Sequence, residues 1–151
     1  MSFYGLIVGV VIAVVGVVLE GVSAAISGIQ STKIEDQTLK KSLVAAAATV
    51  GIGTIFFIIS LGLLFGYQIM SKRLPKKAKG LGIAAIVFSA IALSLFITGA
   101  TIAGVQSGKF KNEPIVYNAL KTAAILVAIG ILLMLIGYTI IYIILGKKLR
   151  R

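Results

Sequence analysis

Four long apolar runs separated by short polar segments dominate the pattern of this 151-residue chain. The first covers residues 3–30 with a single charge, Glu20; the second, 42–71, has none; the third is 80–108 and the fourth 122–146. About 20 apolar residues cross a hydrocarbon core of roughly 30 Å, so each run predicts a membrane-crossing helix. A transmembrane barrel would need alternating segments of about ten residues, whereas these runs are apolar throughout. Pro75 and Pro114 fall between the runs, in the expected connections, which predicts straight, unbroken helices. The expected fold class is all-α, an integral membrane four-helix protein.

Composition points the same way. Hydrophobic residues make up 59% of the chain and charged ones 13%, against about 45–50% and about 25% in soluble domains; mean hydropathy is +1.11. Cysteine, histidine and tryptophan are absent, which removes disulfides and the common zinc, haem and iron–sulfur ligand sets. The acids are Glu20, Glu35, Asp36 and Glu113, too few and too scattered for a carboxylate pair or a histidine-based triad. No enzymatic activity, cofactor or metal is expected. Gly104-x₃-Gly108-Lys109 is one residue short of a phosphate loop, and Phe110 stands where its hydroxyl belongs.

Charge sets the expected orientation. The second connection holds Lys72, Arg73, Lys76, Lys77 and Lys79, and the C-terminal segment holds Lys147, Lys148, Arg150 and Arg151, with no acid in either. In a four-span chain these segments share one side with the N-terminus. The other side sets Lys33, Lys40, Lys41, Lys109, Lys111 and Lys121 against Glu35, Asp36 and Glu113. The positive-inside rule then puts both termini on the cytoplasmic side, with Tyr4, Tyr67 and Tyr142 as interfacial aromatics. Residues 3–19 could pass for the core of a signal peptide. No basic segment precedes them and the apolar run is too long, so the first helix is expected to be retained.

The chain also repeats itself. Ile26-Ser27-Gly28-Ile29-Gln30-Ser31-Thr32-Lys33 returns as Ile102-Ala103-Gly104-Val105-Gln106-Ser107-Gly108-Lys109, with five of eight positions identical at an offset of 76. Gly62, Tyr67, Ile69, Lys72 and Leu74 return as Gly137, Tyr142, Ile144, Lys147 and Leu149 at an offset of 75. Any two apolar helices share Ile, Val and Gly, but Gln-Ser-x-Lys and Tyr-x₄-Lys are not generic. Two tandem transmembrane hairpins are expected, residues 1–76 and 77–151, within one membrane domain.

Small residues mark the expected packing face. On the first helix Gly5, Gly9, Ala13, Gly16, Ala24 and Gly28 fall at spacings of three, four or eight; Ala85, Ser89, Ala92, Ala100 and Gly104 answer them on the third, and Gly62 and Gly66 lie on the second. Such stripes let helix backbones approach closely in lipid, where no hydrophobic force drives helices together. Contact with a lipid membrane and lateral homo-oligomeric packing are the expected associations.

Glu20, the one ionisable group within a predicted span, occupies the gap in that stripe between Gly16 and Ala24. Intramembrane charges are usually functional or paired. Two readings stand: a protonatable or cation-binding site, or a structural residue near the less basic interface that meets water, Lys33 or Lys109. Its counterpart in the second repeat is Phe96, so the hairpin as such does not require the acid, and the structural reading is preferred.

The tyrosine-and-lysine-rich ends, Tyr67…Lys72-Arg73 and Tyr142…Lys147-Lys148, resemble the end of the second helix in the hydrophobic hairpin coat proteins of spindle-shaped archaeal viruses. The resemblance covers nearly the whole chain, in architecture and composition. It implies two fused coat hairpins in a virion coat or envelope, with the basic side facing the interior and available for non-specific nucleic acid contact. The duplication, and the lack of proline in the second helix, depart from that pattern. Rotary-ATPase proteolipids share the duplicated outline but carry their carboxylate on the second helix of a hairpin, which here has no acid. Small multidrug-resistance transporters are similar in their four helices and first-helix glutamate, which supports the alternatives of a small ion- or proton-coupled transporter or channel, or an accessory subunit of a larger membrane complex.

Overall fold

The structure is a computed structural model and describes residues 2–71 and 73–149. Four helices carry nearly all of it: α1 (Ser2–Thr32), α2 (Gln37–Met70), α3 (Pro75–Ser107) and α4 (Pro114–Leu149), with a 3-10 turn, Gly108–Phe110, before α4. They contain 31, 34, 33 and 36 residues. Each includes a segment long and apolar enough to cross a membrane. The prolines do not lie in the connections: both open helices, α3 and α4, where the missing N–H was unpaired in any case and the fixed φ suits the first turn. Asp36 starts α2, its carboxylate accepting from the N–H groups of Thr38 and Leu39 at 2.8 and 3.2 Å.

The helices pack chiefly as two antiparallel pairs, α1 with α4 and α2 with α3; contact between α1 and α2 and between α3 and α4 is less extensive. The reason is a ladder of small residues at every seventh position, the repeat of a left-handed helix pair. On α1 it reads Gly9, Gly16, Ser23, facing Gly137, Gly130, Ala123 on α4; on α3 it reads Ala85, Ala92, Gly99, facing Ser60, Gly53, Ala46 on α2, and all twelve are buried.

Each rung brings one helix against a carbonyl of the other. A Cβ added at Gly137 would lie 2.6 Å from the Gly9 oxygen, and one at Gly16 would lie 2.8 Å from the Gly130 oxygen. The Ser23 hydroxyl donates to the Ala123 oxygen at 2.9 Å. In the other pair the Ser60 hydroxyl donates to the Ala85 oxygen at 2.7 Å. Cβ atoms at Gly53 and Gly99 would sit 3.2 and 3.1 Å from the Ala92 and Ala46 oxygens. Serine thus stands on some rungs where glycine stands on the matching ones.

Burial follows the same correspondence. On α1 and α3 the buried positions match at an offset of 76, pairing Gly9 with Ala85, Gly16 with Ala92, Glu20 with Phe96, Ser23 with Gly99, Ser27 with Ala103 and Ser31 with Ser107. On α2 and α4 the offset is 77, pairing Leu43, Ala46, Val50, Gly53, Phe57, Ser60 and Leu64 with Leu120, Ala123, Val127, Gly130, Met134, Gly137 and Ile141. This corrects the offset of 75 taken from the helix ends. A two-residue slip turns a helix through about 200°, and the environments differ accordingly. Gly137 is buried against Gly9, while Gly62 is exposed with nothing within 4 Å of an added Cβ. Tyr67 lies half-buried over Gly82, while Tyr142 is exposed.

The remaining stripe residues divide. Ala13, Ala85 and Ala92 are fully buried, Ala24 and Ala100 pack against the core, and a Cβ at Gly5 would meet Ile144 at 2.7 Å. Gly28 and Gly104 make matched looser approaches, to Ala47 and Ala124 at 3.9 Å each, and Gly66 has Leu81 at 3.5 Å. Gly62 is therefore no internal packing position, because it lies on the outer face of α2. At the loop end Ile34, Leu43, Phe110, Val116 and Leu120 form a second apolar cluster.

Replacing Gly16 or Gly137 by alanine forces a methyl against backbone that cannot move aside. The expected cost is about 1–3 kcal/mol of stability, read as a lower unfolding midpoint in detergent. Gly62→Ala should change it by less than about 0.5 kcal/mol.

Candidate functional site

Glu20 lies in the loop-side half of α1, eighteen residues after its first residue, Ser2, and twelve before its last, Thr32. The side chain is fully buried, and neither carboxyl oxygen has a hydrogen-bond partner. The expected lysine, hydroxyl or backbone donor is therefore missing: Lys33 and Lys109 are exposed at the loop end.

The socket is formed by glycine. A Cβ on Gly130 would lie 2.6 Å from Glu20 Oε1 and 3.0 Å from the Gly16 carbonyl oxygen, so the absence of a side chain at Gly130 makes room for both. The matching socket in the α2–α3 pair is Gly53, where the Phe96 ring lies 2.8 Å from the position of an added Cβ. One rung thus holds an aromatic ring and its counterpart a carboxyl.

From Glu20 toward the loops, the buried face of α1 continues with Ser23, Ser27, Gln30 and Ser31. Ser31 donates to the Gly28 oxygen at 2.6 Å, as Ser107 does to Gly104 at 2.7 Å. The amide oxygens of Gln30 and Gln106 are buried without partners. Toward the termini the same face is Gly16, Ala13 and Gly9. On α3 the positions matching Glu20, Ser23 and Ser27 are Phe96, Gly99 and Ala103, so only the first half carries a polar stripe this deep.

A second polar group ties α2, α3 and α4 together. The Ser60 hydroxyl gives its proton to the Ala85 oxygen and accepts from Ser89 at 2.7 Å and from the Tyr138 hydroxyl. This pattern uses one donor and two lone pairs, which is all a hydroxyl has. The Tyr138 ring lies 5.4 Å from that of Phe57, so the cluster reads as a structural clamp. Ser60 and Tyr138 were not singled out in the sequence; serine on a small-residue ladder was the available signal.

The basic end is assembled from both chain ends of the bundle. Arg73 is exposed between α2 and α3, and Lys76, Lys77 and Lys79 are exposed on the first turns of α3. Lys72, Arg150 and Arg151 lie outside the described residues, as do the side chains of Lys147 and Lys148. Because α1 and α3 start at this end, and α2 and α4 finish there, Lys33–Lys41 and Lys109–Lys121 lie at the other. Among the described residues no group of three or more His, Cys, Asp or Glu side chains could hold a metal ion.

Comparison with protein-family models, with curated proteins and with solved structures returns no match.

Installing in the first socket the residue that the second one holds tests whether the carboxyl is structural. Glu20→Phe is expected to retain the helical fold by circular dichroism. It should gain about 1–3 kcal/mol of thermal stability, the usual penalty of a buried polar group without a partner. Loss of the folded bundle would show that the acid is needed for packing.

Proposed function

We propose that this chain is an integral membrane protein of two tandem helical-hairpin repeats, acting as a structural or assembly subunit that packs laterally in a membrane or membrane-like coat. The specific assignment is a virion coat or envelope protein. Its termini and basic connection would face the interior, where Arg73, Lys76, Lys77 and Lys79 meet anionic lipid headgroups or nucleic acid phosphates. The observation that carries this reading is the combination of a filled interior and an apolar exterior. The helix pairs close on each other through backbone contacts, while Val11, Val18, Ile55, Ile58, Ile83, Ile97, Leu132 and Ile136 stand exposed around the bundle. Such a surface matches lipid or further copies and is far too extensive for water.

The clefts fit this role better than a conduit. One of about 130 Å³ opens between α3 and α4, lined by Ala90, Leu93, Phe96, Ile131 and Met134; another of about 300 Å³ lies beside Ala45 and Ile102. Neither touches Glu20. The duplication is supported by the matched rungs, by the paired Ser31 and Ser107 hydrogen bonds and by the equivalent burial at 76 and 77 residues.

One observation favours the second reading, a small ion- or proton-coupled transporter or channel: Glu20 is buried within α1 without a donor. Neutralisation separates the two. Glu20→Gln should leave assembly intact, whereas proton- or sodium-coupled flux in liposomes that disappears with this change would replace assembly by transport. Electron microscopy of the purified protein should show regular arrays or particles. Uniformly dispersed single bundles under all lipid conditions would count against a coat.

Topology is tested with single cysteines, since the chain has none of its own. An impermeant thiol reagent should reach Lys77→Cys and Lys111→Cys from opposite sides of a sealed vesicle. Labelling of both from one side would overturn the four-span arrangement.

A further inference from the structure

We propose that Glu20 is a proton-binding site that exchanges with one end of the bundle only, the end bearing the 33–36 and 108–113 connections. The proposal rests on the membrane-spanning reading above and is independent of the choice between assembly and transport.

The first support is the symmetry of the sockets. The second half of the chain fills its glycine socket with Phe96, an arrangement that makes no polar demand. Close packing is therefore available at this rung without an ionisable group, and packing does not explain the acid in the first half. A bare carboxylate with neither oxygen satisfied is the costliest content such a socket can have. A positive charge must accompany it.

The second support concerns what that charge is. Among the described residues, none of the helices packed around Glu20 supplies a cation. Of the α4 lysines, Lys121 is exposed at the loop end and the side chains of Lys147 and Lys148, far along the helix toward the other end, lie outside the described residues; Lys41 of α2 is exposed at the loop end, with Lys40 half-exposed, and α3 contributes Lys76, Lys77 and Lys79, all exposed at the opposite end. Of the tyrosines packed against the core, Tyr138 is engaged with Ser60 and Tyr67 lies over Gly82 near the terminal end. A metal ion would need several oxygens and the space between them. Glu20 Oε1 instead lies directly against Gly130, in neither of the clefts described. A proton needs no cavity. The Gly16 carbonyl oxygen lies beside the same point on Gly130.

The third support is directional. Toward the loops, Ser23, Ser27, Gln30 and Ser31 continue the buried face. Ser23 and Ser31 spend their hydrogens on carbonyls and keep lone pairs free, and the Gln30 oxygen has no partner. Polar groups recur about one helical turn apart along this face, each able to partner a water molecule that enters as the helices part. Toward the termini, Gly16 and Gly9 meet the backbone of Gly130 and Gly137, and the Met134 and Ile141 side chains close over them. Among the described side chains, none that is polar continues this face of α1 toward the termini. The proton thus enters and leaves by the same end.

Infrared spectroscopy of the full chain in oriented proteoliposomes tests both parts, with orientation fixed independently by the Lys77→Cys and Lys111→Cys labels. A failure of the membrane reading therefore shows in the labels, and a failure of the site shows in the spectrum. The wild type should display the carbonyl stretch of a protonated carboxylic acid that Glu20→Gln lacks. Making the loop-side solution alkaline should remove this band, while the same change on the terminal side, within the lifetime of the gradient, should leave it. Replacing sodium by choline at constant pH should have no effect. Absence of the band in acidic and alkaline solution alike overturns the proton site. Loss on exchanging choline for sodium shows a metal cation instead, and loss from the terminal side overturns the one-ended path.

Discussion

Everything in this bundle depends on how closely two backbones can lie. In each antiparallel pair, three rungs spaced seven residues apart carry glycine, alanine or serine, and on each rung one helix presses on a carbonyl oxygen of the other. Side chains larger than serine would separate the axes and remove all three rungs together, since neighbouring rungs are rigidly linked by the helix. Dispersion and short polar contacts drive helix association in an apolar surround, and both fall off within a fraction of an ångström of misfit. The ladder therefore decides which helices pair most closely: α1 with α4 and α2 with α3, rather than α1 with α2 and α3 with α4.

That choice of partners makes the two halves depend on each other. Each tight pair takes one helix from each hairpin, so an isolated hairpin would contain only the looser of the two kinds of contact. Exchanging the halves carries the α1–α4 pair onto the α3–α2 pair, as the matched rungs show. Departures from the match are then informative. Ser60 and Gly137 exchange a hydrogen bond for closer approach, as do Ser23 and Gly99, whereas Glu20 and Phe96 differ in kind.

Much of this was legible in the sequence. Charge-free runs of 25 residues or more leave little choice but helix, and flanking lysines mark their ends. Ser31 and Ser107, the serines of the two Gln-Ser-x-Lys segments, perform the same local task, each donating to the carbonyl oxygen three residues earlier. The correspondence of α2 with α4 was misplaced by two residues. Tyr67 and Tyr142 share a chemistry suited to helix ends, which drew the alignment, while Leu43-x₂-Ala46-Ala47-x₂-Val50-x₂-Gly53 and Leu120-x₂-Ala123-Ala124-x₂-Val127-x₂-Gly130 looked like generic apolar helix. Spacing by seven, more than spacing by three or four, was the signal that would have separated Gly53 from Gly62. The lack of a donor at Glu20 was beyond reach, since it depends on which residue of another helix lies opposite.

In the membrane-spanning arrangement proposed above, the length of the helices has a consequence for the surrounding lipid. From Lys41 to Lys72, and from Lys79 to Lys109, no charge interrupts the chain; at 1.5 Å per residue each stretch measures about 45 Å. An ordinary hydrocarbon core is about 30 Å thick, and a typical tilt of about 20° shortens the helix by only a few ångströms. The buried glutamines and serines at the loop end can take up part of the excess by lying at headgroup level. What remains must be met by the bilayer, thickened around the bundle or thick to begin with. Copies gathered together would share one thickened patch where scattered copies would each need their own, so the lipid itself would draw them together even where their surfaces have no specific affinity.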